Sequence, residues 1–287
     1  SVWSGLISAR FIPAMVFTGI FFVVLLVNLV LADRLGARQQ GAGPSDEVVE
    51  RYQMITAPYA GRIRVGVALL FALVMGAGVA SRWQTWLLYR NRVPFGVDDP
   101  QFGKDVGFYV FDLPFINMVL DWLFVGLVVV LLLTALAHYL NGGIRVQTPF
   151  QRVAPQVKAH LSVLLALLAL VKAAQYWFAR YELVFSTRGP VDGASYTDVK
   201  AQLPAYNFLI LISITAAALF IVNIWRKGWT LPVIAVALWA FISVVVGTAL
   251  PWYVQRFQVQ ANQASKEAPY IDRNIEATRA AYGLDKV

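Results

Sequence analysis

Asp121 and Lys172 are opposite charges set inside long apolar runs, where an ionisable group is costly and therefore informative. Each lies about six to seven residues in from the same end of its run, roughly 9–10 Å deep at the helical rise per residue. An isolated charge at such depth costs about 2.5–3.5 kcal/mol or more, so each is expected to have a partner. Matched depth on consecutive runs pairs the two. The pair would serve either as a buried ion pair fixing helix register or as a gate or proton site facing a cavity. One pair is sparse for an ion path, which favours the register role. Lys172 could also snorkel outward and leave Asp121 to water.

Asp98, Asp99, Asp105 and Asp112 fall in one stretch rich in turn residues. Four carboxylates could bind a cation such as calcium. Their spacing fits no EF-hand loop, and the Asp-Pro and Phe-Gly pairs alone explain a tight turn. His138 and His160 are the only histidines. A proton relay or metal pair is one reading, and interfacial histidines without a special role are the plainer one. The sequence holds no phosphate-binding loop, no histidines at metal spacing and no serine elbow. Absence of cysteine excludes disulfides, iron–sulfur clusters and thiolate zinc sites. No catalytic residue, metal site or cofactor is assigned, and an enzyme is the least favoured class.

These residues must be positioned by apolar helices. Hydrophobic residues make up 59% of the 287 and charged residues 14%, against about 25% charged in soluble domains. The apolar residues gather into six blocks of bilayer-spanning length, at 11–32, 63–80, 116–137, 161–178, 206–224 and 231–250. Backbone groups in hydrocarbon must be satisfied within the segment, so the expected fold is all-α, a polytopic transmembrane helix bundle. Trp83, Trp86, Tyr176, Trp177, Trp225, Trp229, Trp252 and Tyr253 mark the block ends as an interfacial aromatic belt. Ala68, Ala72, Gly76 and Ala80 form a small-residue stripe suited to close helix packing, internally or at an oligomer face.

The net charge of +8 reads as cationic loops facing anionic lipid, not as nucleic-acid binding. Alternate loops carry ten Lys and Arg (33–64, 138–158, 226–227) against seven (82–115, 179–204), and Arg62, Arg64, Arg226 and Lys227 sit at span ends. The first set is therefore placed in the cytoplasm, which puts both chain ends outside and suggests a further span upstream. Residues 37–45 are expected to be mobile. Residues 46–56 form either a short interfacial helix or a solvated connector.

The stretch 94–115, PFGVDDPQFGKDVGFYVFDLPF, closely resembles the signature of a bacterial membrane protein family, uncharacterised protein family 0182. The stretches 172–183 (KAAQYWFARYEL), 196–198 (YTD) and 269–279 (PYIDRNIEATR) agree with it. The resemblance covers essentially the whole chain. One departure is Ala261, where the family pattern has a proline before Asn262. The resemblance implies seven spans followed by a large extracytoplasmic region, so this chain would lack the first span and most of that region. It supplies architecture and no catalytic residues.

The implied organisation is a bundle over 1–250, with an ordered outer loop at 84–115 and a second at 179–204. Residues 251–287 would begin an extracytoplasmic domain. Phe108, Tyr109, Phe111 and Phe115 are too hydrophobic for a free loop and should lie on the membrane surface or dock under that region. The expectation is a plasma-membrane platform that anchors and orients an extracytoplasmic domain in envelope maintenance. The rival is a transporter or channel for a lipid or other hydrophobic envelope component. Partners would be membrane lipids, the rest of the same protein, and a second copy or other envelope proteins.

Overall fold

A computed structural model describes residues 2–37, 47–144, 153–226, 228 and 230–284. The expected mobile connector, from residue 38 on, lies outside them, as do Arg38, Arg145, Arg152, Lys227 and Trp229. The described residues are nearly all helical. The elements are α1 (Val2–Ala37), α2 (Glu47–Thr56), α3 (Ala60–Ser81), α4 (Trp83–Arg90), α5 (Leu113–Leu140), α6 (Pro155–Glu182), α7 (Leu203–Arg226), α8 (Thr230–Val244), α9 (Leu250–Tyr253) and α10 (Gln263–Ala281). Six helical runs are long and apolar enough to cross a membrane, and each contains one of the six expected spans. Their outward faces stay apolar: Met15, Leu70, Val74 and Leu132 are 71%, 59%, 62% and 63% exposed. A helix that is apolar all round, yet not enclosed by its own fold, is what a span facing lipid requires.

Local chemistry sets the helix ends. Pro155 opens α6 at the first helical position, where its missing N–H costs nothing. Gly142 takes φ +74° after α5, and Gly143 N–H returns to the His138 carbonyl at 2.8 Å, closing the last turn. Between α1 and α3 the chain forms a short helix, α2, tied down by buried Val49 and by Gln53 donating to the Leu140 carbonyl.

The chain divides into two compact units. The first comprises 1–91, 118–169 and 217–233. Its core joins Phe21, Leu25 and Leu29 of α1 to Ala68 and Ala72 of α3, Val130 of α5 and Leu164 of α6. Trp122 stands edge-on to Phe17 and Phe21, at 4.8 and 6.1 Å between ring centroids. The small-residue stripe faces α1. Ala68 and Ala72 are fully buried, Gly76 is buried and Ala80 half-buried. A Cβ on Gly76 would meet Thr18 Oγ1 at 1.7 Å and the Ala14 carbonyl at 3.1 Å.

The second unit comprises 92–117, 170–216 and 234–287. Here the helical path runs past the end expected at residue 250. A π-turn (Val245–Ala249), α9, a second π-turn (Val254–Val259) and a short 3₁₀ turn (Gln260–Asn262) lead into α10. The sequence after Tyr253 is polar but rich in Gln, Ala and Arg, which are good helix formers. Loss of hydropathy therefore ends the apolar stretch, while helical turns run on to Asn262, whose non-helical backbone (φ −148°, ψ 48°) starts α10 as a new helix.

Gly76→Ala should force α1 and α3 apart and destabilise by about 1–3 kcal/mol. Thr18→Ala in the same chain should recover part of the loss. Gly78→Ala, on the open side of the helix, should leave the melting temperature in detergent unchanged. Equal effects at residues 76 and 78 would refute close packing as the role of the stripe.

Candidate functional site

Two buried polar constellations stand out, one in each unit. In the first unit, α1, α5 and α6 bring Asn28, His138 and His160 into one hydrogen-bonded chain. His160 Nε2 lies 3.0 Å from Asn28 Oδ1, and His160 Nδ1 lies 3.1 Å from His138 Nε2. Asn28 Nδ2 already donates to the Val24 carbonyl at 2.7 Å, so its Oδ1 is the acceptor. For two neutral rings, the direction of the chain is then fixed. His160 carries its proton on Nε2, His138 donates from Nε2, and His138 Nδ1 is left a bare acceptor. That nitrogen is buried and has no hydrogen-bond partner. Nearby, Asn223 of α7 donates to Ser162 of α6 at 2.8 Å, again fully buried.

The charges expected within the spans have local neighbours. Asp121 has Arg82 at 3.9 Å, both side chains being more than half exposed. Lys172, in the second unit, holds its ammonium 4.9 Å from the ring centroid of Tyr176, one turn along the same helix. Asp33 pairs with Arg64 at 2.6 Å, between the end of α1 and the start of α3.

The four loop aspartates have separate surroundings. Asp105 accepts three backbone N–H groups, from Phe95 (3.0 Å), Gly96 (2.8 Å) and Gly107 (2.6 Å). The Phe95 bond leads in holding its carboxyl below the ordinary value of 3.8, partial desolvation opposes it, and the two glycine bonds assist. Asp99 accepts from Phe102 N–H and from the hydroxyl of buried Tyr109. Asp112 faces Arg92 at 3.6 Å. Asp98 is exposed. Among the described residues, no group of three or more His, Asp or Glu could hold a metal ion. The aromatic run does not float free either: Phe102 and Phe108 each stand 5.2 Å edge-on to Tyr181.

The second constellation closes the start of α7, and only its local part is visible in sequence. Ser195 and Asp198 cap reciprocally: Ser195 N–H and Oγ–H donate to Asp198 Oδ2 at 3.0 and 2.7 Å, and Asp198 N–H returns to Ser195 Oγ at 3.4 Å. Arg188 donates to the other Asp198 oxygen at 2.8 Å. The next orphan donor, Tyr196 N–H, is taken by Glu267 of α10 at 3.0 Å. Glu267 is 1% exposed, and its other oxygen is buried without a partner. A carboxylate at a helix N-terminus also meets the positive end of the helix dipole. Thr197 Oγ1 donates to Gln255, Asn274 to the Asp192 carbonyl at 2.8 Å, and Arg273 to Gln101 at 2.8 Å. Residues 255–274 are thus bonded to both loops of this unit. This arrangement binds segments together; it has no nucleophile or acid–base pair poised on open space.

Comparison with known proteins bears on the whole chain. The model of the uncharacterised protein family UPF0182 matches residues 1–287. A UPF0182 protein of Frankia alni is 45% identical over 286 residues, covering 100% of this chain and 28% of that protein. One from Nocardioides sp. is 44% identical over 265 residues, covering 92% and 26%. One from Streptomyces coelicolor is 39% identical over 279 residues, covering 93% and 28%. The chain spans just over a quarter of the length of these relatives. No solved structure matches.

Two outcomes are expected. Arg188→Ala leaves Asp198, 1% exposed, without its counter-ion. The two Ser195 bonds survive, so the cost should be about 3 kcal/mol, the low end for breaking a buried pair. It should read as a lower melting temperature and faster proteolysis within 186–204; no change at either would show the pair to be idle. Asp105 has a folded pKa below its unfolded one, so its ordering effect is present above about pH 4. That effect should vanish as the pH falls through the folded value. Hydrogen exchange over 94–107 should quicken below pH 3.8, and Asp105→Asn should quicken it already at pH 7. Equal protection at pH 7 in the wild type and in Asp105→Asn would count against the carboxylate as organiser.

Proposed function

The chain belongs to the uncharacterised protein family UPF0182, and on that premise we propose that it is the membrane platform of an envelope protein. Its spans anchor, and its loops orient, a large extracytoplasmic domain in the plasma membrane of a bacterium. The six runs able to cross a membrane supply the anchor. The observation that carries the orienting role is the bonding of α10 to the start of α7 through Glu267 and Tyr196 N–H. A flexible tether would need no buried carboxylate in that place. A segment that sets the direction of the next domain does need one, because a buried charged hydrogen bond has a single good geometry. Asn274 and Arg273 extend the same hold across both loops. The small-residue seam between α3 and α1 gives this platform a stiff base.

Topology is the test. The chain has no cysteine, so single introduced cysteines report cleanly. Asp192→Cys, at an exposed loop position, should react with a membrane-impermeant maleimide on intact cells. Gly41→Cys, outside the described residues, should react only after the membrane is opened. The reverse labelling pattern would put α10 in the cytoplasm and end the extracytoplasmic platform.

A further inference from the structure

The first unit carries a half-open groove of ≈ 600 Å³ between α1, α3 and α5. Close-packed protein interiors leave few voids larger than a water, whereas ligand sites run about 300–1,000 Å³. The walls divide sharply in chemistry. Leu29, Val67, Phe71 and Leu133 line an apolar body. Asp33, Gln53, Arg64 and Asn141 line the polar part. An apolar channel closed by a charged and amide-bearing end fits an amphiphile with one chain and one polar head. α2 and the 3₁₀ turn Ala57–Tyr59 contribute Gln53, Thr56 and Ala57 to the lining. On the same elements Met54, Ile55 and Tyr59 are exposed at 74%, 65% and 55%. A short helix with such a face lies in the bilayer interface, so the polar end of the groove stands at headgroup level.

Charge selects the headgroup. The Arg64 guanidinium is only 26% exposed, and it bonds Asp33 and the Ala60 carbonyl. Two bonds leave it further N–H donors in a planar fork, the geometry that phosphate oxygens accept. Arg34 and Arg62, both exposed, adjoin lining residues in sequence. The guanidinium of Arg64 in the wall, with Arg34 and Arg62 beside wall residues in sequence, favours an anionic head over a zwitterionic one.

We propose that this groove binds one anionic phospholipid, with an acyl chain along Leu29, Val67, Phe71 and Leu133 and its phosphate on Arg64. The site is independent of which face of the membrane the loops occupy. Two changes separate its parts: Ala137→Phe fills the body, and Arg64→Gln with Asp33→Asn removes the phosphate-binding guanidinium without stranding the carboxylate.

The test is native mass spectrometry of the full-length protein, released from nanodiscs of phosphatidylglycerol or of phosphatidylethanolamine. The wild type should retain one phosphatidylglycerol and melt at a higher temperature in that lipid. Each variant should lose about tenfold in retention, the equivalent of about 1.4 kcal/mol. A phosphatidylglycerol carrying a photoreactive acyl chain should label the wild type within 63–71 and 133–137, a result independent of whether the variants fold. Equal retention of both lipids, undiminished retention in both variants, or labelling confined to other segments would each overturn the proposal.

Discussion

A polar group in hydrocarbon has no water to turn to, so the chain itself must satisfy it. Most of what is specific in this structure stems from that constraint. Backbone groups meet it by helix formation, and nearly every described residue is helical. Side chains meet it by finding one another across helices. Asn28, His160 and His138 do so in series, and Ser162 and Asn223 as a pair. Such bonds fix rotation and register where apolar surfaces cannot, because one leucine face on another tolerates sliding and a hydrogen bond does not.

Close approach does the complementary work. The α1–α3 seam is built from residues too small to keep the backbones apart, and dispersion gains from contact replace the hydrophobic drive that lipid surroundings remove. Gly76 is the extreme case, its Cα hydrogen facing Thr18 with no room for a methyl. The half-open groove lined by α1, α3 and α5 stands out against that density, in the same unit as the α1–α3 seam. Its polar end is bordered by the partly exposed Asp33–Arg64 ion pair.

Sequence carried the parts of this fold that are local. Six apolar blocks and four small residues at four-residue spacing can be seen without knowing what packs on what. The non-local parts could not be seen, for a physical reason. Asn28 and His160 are 132 positions apart, and both sit on helices that are apolar nearly all round. Such a helix has no amphipathic face to say which way it turns. Glu267 was hidden differently: its stretch is polar throughout, and nothing local distinguishes the one carboxylate that turns inward. Asp121 has a neighbour that depth along the span does not reveal: Arg82, by sequence a loop charge, stands 3.9 Å from it.

The chemistry of the polar groups differs between the two units. In the first unit, the buried hydrogen bonds within the spans join neutral groups, imidazole, amide and hydroxyl. In the second, carboxylates dominate: Asp99, Asp105, Asp198 and Glu267 each accept backbone N–H groups. Full charges are expensive in hydrocarbon, and a neutral network meets the same need at lower desolvation cost. In turns rich in glycine, the unmet need is different. Backbone donors there have no helix or sheet to close them, and one carboxylate can close two or three at once with charge-assisted strength. Asp105 does this for the 94–107 turn, and Asp198 with Glu267 for the start of α7. Asp99, Asp105, Asp198 and Glu267 thus act as fasteners for irregular backbone, and the two histidines link spans through a neutral hydrogen bond. Glu267 joins the two ends of that logic, since it fastens the start of one apolar helix from a polar helix that follows another.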